Sequence, residues 1–317
     1  MSDLTLMEIT RRFSTEDAAR EYFERLRWPH GPACPHCGTA DEERIYRHAP
    51  DPEKKIRAGL YSCADCRKQF TVTVGTVMED THLPLSKWLI AWYIMASSKT
   101  QVSALQLQRQ LEIGSYRSAW FLCHRIRYAL MADGGTPPRK LGGTVEADET
   151  YIGGKRRGKG RGYTGNKVAV VSLVERGGNV RSMVVGAIDS DRMGEILLRH
   201  VELSAHLNTD ESPLYTRNGR RFASHRSVNH SREEYARTDP QTGRRVTSNT
   251  VEGFFGNSKR SLDGTHHHVS RKHLPLYLAE LDHKYNTRKL TDGGRTVDAI
   301  QRMEWKRLTL RDTKAVG

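Results

Sequence analysis

The chain has 317 residues, 37% of them apolar, which is enough for two or three domains with real cores. Its 51 lysines and arginines exceed 37 aspartates and glutamates, giving a formal charge of +14, a pI near 9.7 and a mean hydropathy of −0.67. That balance points to a polyanionic partner, nucleic acid first, and no apolar run approaches a membrane span. The N-terminus, MSDLTLMEIT, lacks the basic and then apolar pattern of a secretory leader, so a cytoplasmic, nucleoid-associated protein without a membrane partner is expected. Five cysteines, four of them in two CxxC pairs, suit a reducing compartment where thiols hold metal.

In chain order, Ser14-Thr15-Glu16-Asp17 resembles a capping box and opens a helix through Ala18, Tyr22, Phe23 and Leu26 that stops at Trp28-Pro29. Cys34-Pro-His-Cys37-Gly38 follows, and Cys63-Ala-Asp-Cys66 comes after 25 intervening residues. Each CxxC presents two thiolates from one tight knuckle, with Gly38 supplying turn freedom, and two knuckles complete a closed, structural zinc shell. His36 and His48 are expected to be solvated bystanders. Tyr61, Phe70, Val72 and Val74 alternate like a short hairpin.

From Leu85 to Met131 the pattern is helical, with a first stripe of Trp88, Leu89, Trp92, Tyr93 and Met95. Ser103–Leu111 and Ser118–Met131 flank a turn at Gly114-Ser115, a helix-turn-helix layout in which Arg117, Arg125 and Arg127 are expected to touch DNA. Cys123 reads as a buried apolar residue. Asp133-Gly-Gly-Thr-Pro-Pro marks a boundary.

Beyond it, Thr144–Ile152 is predicted as a strand carrying Asp148. Glu146 and Glu149 flank that residue and are expected on the opposite face. Gly153–Gly162 is a basic loop whose Lys155, Arg156, Arg157, Lys159 and Arg161 suit phosphate contacts. Val168–Val174 and Val180–Ile188 flank a Gly177-Gly178 turn as a hairpin, Met193–Val201 is helical, and Leu207–Asp210 is a short strand ending in an acid. Residues 212–247 look polar and irregular. Ser248 or Asn249 caps a helix whose Val251, Phe254 and Phe255 are buried and whose Glu252 lies at the edge of that face. Lys259 follows Glu252 by seven residues, about two turns, and so shares its side. Leu274–Tyr285 is the final long helix.

Two acid-bearing strands, a hairpin between them, and a helix bringing Glu252 form the skeleton of an α/β, ribonuclease-H-like mixed sheet. Converging Asp148, Asp210 and Glu252 would repel one another unless divalent cations neutralise them, and hard oxygen donors favour Mg²⁺ or Mn²⁺. The expected layout is an N-terminal helix (1–30), a zinc ribbon (31–80), a helical DNA-binding region (81–132), a catalytic domain (140–290) and a C-terminal tail (291–317).

These pieces resemble insertion-sequence transposases that join a zinc ribbon to a ribonuclease-H-like DDE domain, a bacterial group related to the Merlin elements. The resemblance is carried by the paired CxxC motifs, Val145–Gly154, Thr209-Asp210, His225 to His230-Ser231, Ser248–Phe255, Lys259-Arg260, Gly264–Ser270 and His273–Leu281. It implies Asp148, Asp210 and Glu252 as the Mg²⁺-binding triad, with Lys259 as the basic residue that follows. Asn249 is the alternative third residue, because some relatives use Asn there. An aromatic often follows the second Asp in that group, whereas Glu211-Ser212 stands here. His266-His267-His268 replaces a Tyr-His-His pattern and reads as a loop beside DNA. The implied activity is binding of terminal inverted repeats, hydrolysis that frees a 3′-OH, and attack of that 3′-OH on target DNA by an oligomer of the chain. Lys259 and Arg260 join the DNA-contacting set. A nuclease that cuts without joining and a transposase-derived DNA-binding regulator are the alternatives.

Overall fold

The computed structural model describes residues 4–132, 139–153 and 167–315. The chain falls into two compact units, one of residues 1–130 and 287–317 and the other of residues 131–286.

The first unit opens with α1 (Leu6–Arg12), closed by a capping box between Thr5 and Glu8. Next comes α2 (Glu16–Arg27), capped by Thr15 through its bond from the Ala18 N–H and ending at Trp28. Strands β1 (Ile45–Arg47), β2 (Tyr61–Cys63) and β3 (Gln69–Phe70) pair antiparallel in that order. Trp28 meets Tyr61 and Phe70 edge-on at 5.5 and 5.8 Å, giving this small sheet an aromatic core. Then follow α3 (Leu85–Ser97), α4 (Ala104–Gln110), capped by Ser103, and α5 (Tyr116–Leu130). Trp88, Leu89, Trp92 and Met95 are buried as the stripe requires, and Cys123 is fully buried.

The second unit is built on a five-stranded sheet. β4 (Thr144–Ile152), β5 (Val168–Glu175) and β6 (Val180–Val185) form an antiparallel meander. After α6 (Ser190–His200), β7 (His206–Thr209) pairs parallel to β4; after α7 (Pro213–Gly219), β8 (Ser224–Ser227) pairs parallel to β7. The order β6-β5-β4-β7-β8 is that of a ribonuclease-H-like sheet. Val145 and Ala147 of β4, Ala169, Val171 and Leu173 of β5, and Met193 and Leu197 of α6 share one buried cluster. Period-2 alternation therefore turns the even positions of β4 to the other face. β9 (Ala236–Thr238) and β10 (Arg245–Thr247) form a separate hairpin, followed by α8 (Asn249–His266) and α9 (Leu274–Asn286). Residues 212–247, expected to be irregular, thus contain a helix and three short strands.

The segment expected as a C-terminal tail is instead structured and belongs to the first unit. α10 (Asp292–Gln301) packs on α3, and the Trp305 N–H donates to Gly75 O at 2.8 Å. Arg27 pairs with Glu304 at 2.7 Å, and Lys306 donates to Ala129 O at 2.6 Å. Among the described residues, no helix is long and apolar enough to cross a membrane.

Candidate active site and metal centres

The two CxxC knuckles come together as expected. Sγ atoms of Cys34, Cys37, Cys63 and Cys66 all lie within 4.8 Å of one another. Cys34–Cys66 and Cys37–Cys63 are each 3.6 Å apart, near the about 3.8 Å implied by thiolates about 2.3 Å from a tetrahedral zinc. Gly38 takes φ +83°, and its N–H donates to Cys34 O; Arg67 takes the equivalent left-handed turn after the second knuckle at φ +58°. Asp65 accepts from Thr39 Oγ1 and Arg44 Nε, tying one knuckle to the other. Hydrogen bonds from Thr39 bring the Cys37 thiol down to about 6, while burial pushes Cys34 up to about 12, so the buried thiol depends most on a cation to ionise it. His36 and His48 are not merely solvated: their Nε2 atoms bond Gln69 O and Ser62 Oγ.

In the second unit, β4 and β7 run in register with Glu146 opposite Asn208. Asp148 and Asp210 each lie two residues past that pair, on the same edge of the sheet. Asp148 accepts from the Glu149 N–H at 2.8 Å. Burial, opposed by that bond, pushes its carboxyl up to about 7, with the charges of Glu149, Asp210 and Glu252 raising it further. Asp210 accepts from the Ser212 N–H. Glu252 is 39% exposed in its side chain; its Oε1 accepts from Ser248 Oγ and lies 3.3 Å from His230 Nε2. Among the described residues the four cysteines are the only group of three or more whose metal-ligating atoms all lie within 4.8 Å of one another, so the acids are electrostatically coupled without closing into such a group. A hard-oxygen donor set in which burial and neighbouring charges oppose ionisation of one carboxyl fits a divalent cation, which would relieve that repulsion.

Several residues that the sequence motifs contain turn out to be structural neighbours of the acids, a role the motifs did not give them. His230 reaches Glu252 because Glu211 accepts from the His230 and Ser231 N–H groups at 2.8 and 3.1 Å and from Ser231 Oγ at 2.6 Å. Those bonds pull the Glu211 carboxyl down to about 2. The acid standing where relatives often carry an aromatic thus anchors the turn that holds His230. Glu149, on the α6 and α7 face as expected, accepts from Tyr215 at 2.5 Å. Glu146 corrects the expectation: it shares the Asp148 face, fully buried, and bonds the start of α8.

The basic candidates divide. Lys259 and Arg260 are exposed on α8, Arg260 donating to Asn257, and Asn249 is exposed at the first helical position. Arg117 is exposed at the start of α5. Arg125 and Arg127 are only 8% and 1% exposed, and they donate to Glu79 O and Val102 O. Both expectations of DNA contact there are corrected: these guanidinium groups are consumed by buried backbone carbonyls. Lys155, Arg156, Arg157, Lys159 and Arg161, like the 133–138 boundary, lie outside the described residues. His266 ends α8 against Tyr277, with ring centroids 4.7 Å apart.

A ribonuclease-H-like sheet with acids on adjacent parallel strands, Asp148 within β4 and Asp210 just past the end of β7, in a chain that also holds a four-cysteine ribbon, defines a nucleic-acid-processing class of protein. Residues 140–286 match the ISXO2-like transposase domain, and residues 14–69 match the transposase zinc-ribbon domain. Together these spans exceed half of the chain, which belongs to the transposases that combine the two. An uncharacterized protein in transposable element ISH50 of Halobacterium salinarum is 27% identical over 297 residues, spanning 84% of this chain and 89% of that one. A chain of the simian T-cell lymphotropic virus intasome, solved with PP2A regulatory subunit B56 gamma, aligns at 14% identity and a TM-score of 0.27. That alignment spans 56% of this chain and 63% of the other, and the likeness is too slight to add to the reading.

Proposed function

We propose that this transposase binds the ends of its own element as double-stranded DNA, hydrolyses a phosphodiester to free a 3′-OH, and joins that 3′-OH to target DNA. Asp148, Asp210 and Glu252 would hold divalent cations, Mg²⁺ or Mn²⁺, and the ribbon one zinc. The observation that carries the reading is the Asp148 carboxyl, in the middle of β4, raised to about 7 by burial with the charges of Glu149, Asp210 and Glu252 adding to it. Bound there, a pair of divalent ions supplies activation of the attacking oxygen and stabilisation of the leaving one. Asp148 and Asp210, fixed on neighbouring strands, define the rigid side of the site, and Glu252 approaches from α8 with Ser248 and His230 steadying its carboxylate. Glu252 is favoured over Asn249 as third residue because its charge is among those raising Asp148. Lys259, two turns on and exposed, meets phosphate beside the cut, with Arg260 and Arg117 adding to DNA affinity. The basic loop at 155–161 is assigned the same role on its composition. Assembly of several copies on the element ends belongs to the same proposal.

The test uses oligonucleotide duplexes carrying the element ends and a supercoiled target. Alanine at Asp148, Asp210 or Glu252 is expected to remove Mg²⁺-dependent cleavage while end binding stays within about twofold, since affinity resides in the basic residues. Substantial cleavage by any of the three variants takes that residue out of the triad. A dead Asn249→Ala with an active Glu252→Ala transfers the role to Asn249. Cleavage without joined product leaves a nuclease.

A further inference from the structure

β4 carries two acids on one face, and only Asp148 has a place in the reading above. Glu146 is fully buried, which for a carboxylate demands an assigned set of partners. It has four. Arg176 Nε donates to Oε1 at 2.6 Å, and Thr250 Oγ1 donates to the same oxygen at 2.9 Å. The Thr250 and Val251 N–H groups donate to Oε2 at 2.7 and 3.1 Å. Counted from Ser248 as N-cap, these are the second and third helical residues, whose N–H groups a capping side chain ordinarily satisfies. Ser248 makes no such capping bond; its hydroxyl is turned to Glu252 Oε1 instead. The cap of α8 has thus been moved onto the strand, and the residue at the cap position is released to hold the acid one turn further on.

Arg176 completes the link. Beyond Glu146, its Nη1 and Nη2 donate to Arg245 O at 2.6 Å and Thr247 O at 3.0 Å, fastening the last strand before α8 to the same carboxylate. One ion pair, made by a buried carboxylate and a partly buried guanidinium, therefore ties β4, two residues from Asp148, to the helix start, one turn from Glu252. A negative group at a helix N-terminus is also favoured by the helix dipole, so the arrangement needs the carboxylate and not just any acceptor.

Resting on the assignment of Asp148 and Glu252 to the cation site, we propose that Glu146, with Arg176, is the positioning residue that sets Glu252 against Asp148. A helix cap supplied from its own chain neighbour would stabilise α8 equally well but would leave its distance from the strand free.

The experiment is a titration of the zinc-loaded full-length protein with Mn²⁺ followed by electron paramagnetic resonance, alongside zinc content and thermal melting. Glu146→Gln keeps size but turns one acceptor into a donor facing the helix N–H groups. It is expected to weaken Mn²⁺ binding by about 10–100-fold, the range for losing a group that orients metal ligands. Its zinc content and ribbon should remain those of wild type. Arg176→Lys keeps the cation but cannot reach Glu146 and both carbonyls together, and should give a smaller loss with melting little changed. It also decides the matter if Glu146→Gln does not fold. Asp148→Ala and Glu252→Ala are the controls. If both lose Mn²⁺ while Arg176→Lys and a folded Glu146→Gln bind as wild type, the positioning role is overturned and the cation site stands. If the two alanine variants bind Mn²⁺ normally, the cation-site assignment falls, and this inference with it.

Discussion

The four cysteines of the ribbon and the three acids proposed to hold divalent cations are brought into place in opposite ways. The ribbon's four thiols come from two four-residue motifs, and two tight turns bring every Sγ within 4.8 Å of the others. The three acids come from a strand, the end of another strand and a helix, and each owes its place to pairing or packing elsewhere. The first cluster is written in local spacing, and the second in topology. In a site of the second kind a carboxyl such as Asp148 is buried beside other acids, which raises it, and bonds such as Glu146–Arg176 are proposed to hold the parts in register.

The sharpest break of this comparison is on the ribbon side. Its metal is its folding energy, so Cys34→Ser or Cys63→Ser should leave less than half an equivalent of zinc and unfold residues 30–75. The scale is the roughly 10–16 kcal/mol of structural zinc binding. Full zinc content with a folded ribbon in either variant would make the cluster ornamental. Loss of the acids should behave differently: Asp148→Ala should keep the fold while cleavage falls by two or more orders of magnitude.

A second contrast concerns basic residues on one helix. Arg125 and Arg127 are buried in the first unit, so Arg127→Ala should lower stability by about 2–4 kcal/mol in denaturant melts, while the salt dependence of DNA binding is unchanged. Arg117→Ala, at an exposed position, should do the reverse, reducing the salt slope by about one unit with stability within about 0.5 kcal/mol. An unchanged melt for Arg127→Ala would return it to the surface.

The acid cluster should also declare itself in pH. A carboxyl raised from about 4 to about 7 holds its proton in the folded state after the unfolded chain has lost it. Its stabilising contribution is whole below about pH 4 and is lost as pH rises to about 7. Metal-free protein should therefore lose stability over that window relative to Asp148→Asn, and Mn²⁺ affinity should rise with pH over the same window. Flat Mn²⁺ affinity between pH 5 and 8 would contradict the coupling.

The smallest effect is expected at Lys259. Lys259→Ala should weaken binding of cleaved ends and slow joining with Mn²⁺ affinity little changed, and Lys259→Arg should recover part of the loss. Normal end binding and joining by Lys259→Ala would leave it a solvated surface lysine.

The same contrast explains what could be read without coordinates. The paired CxxC motifs, the capped α2 and α4, the Trp88–Met95 stripe and the nearly continuous apolar run of β5 are local signals, and each produced its element. β8 has four half-buried polar residues and no alternation, so only pairing with β7 reveals it as a strand. The α10 segment looked like a tail because its partners lie some two hundred positions earlier, on α3. The misplacement of Glu146 was avoidable, since residues two apart on a strand share a face. Arg125 and Arg127 show the limit of charge counting: in α5 their carbonyl partners come from Glu79 and Val102, far from them in sequence.

We propose that Asp148, Asp210 and Glu252 together surround the divalent cations. The most direct test replaces Mg²⁺ with Fe²⁺ in the zinc-loaded protein and adds ascorbate and peroxide, so that radicals released at the bound iron cut the nearby backbone. The account predicts three clusters of fragments, ending near residues 148, 210 and 252, all lost on competition with Mg²⁺ and in Asp148→Ala. Cutting that omits any one of the three, or that survives in Asp148→Ala, would contradict it.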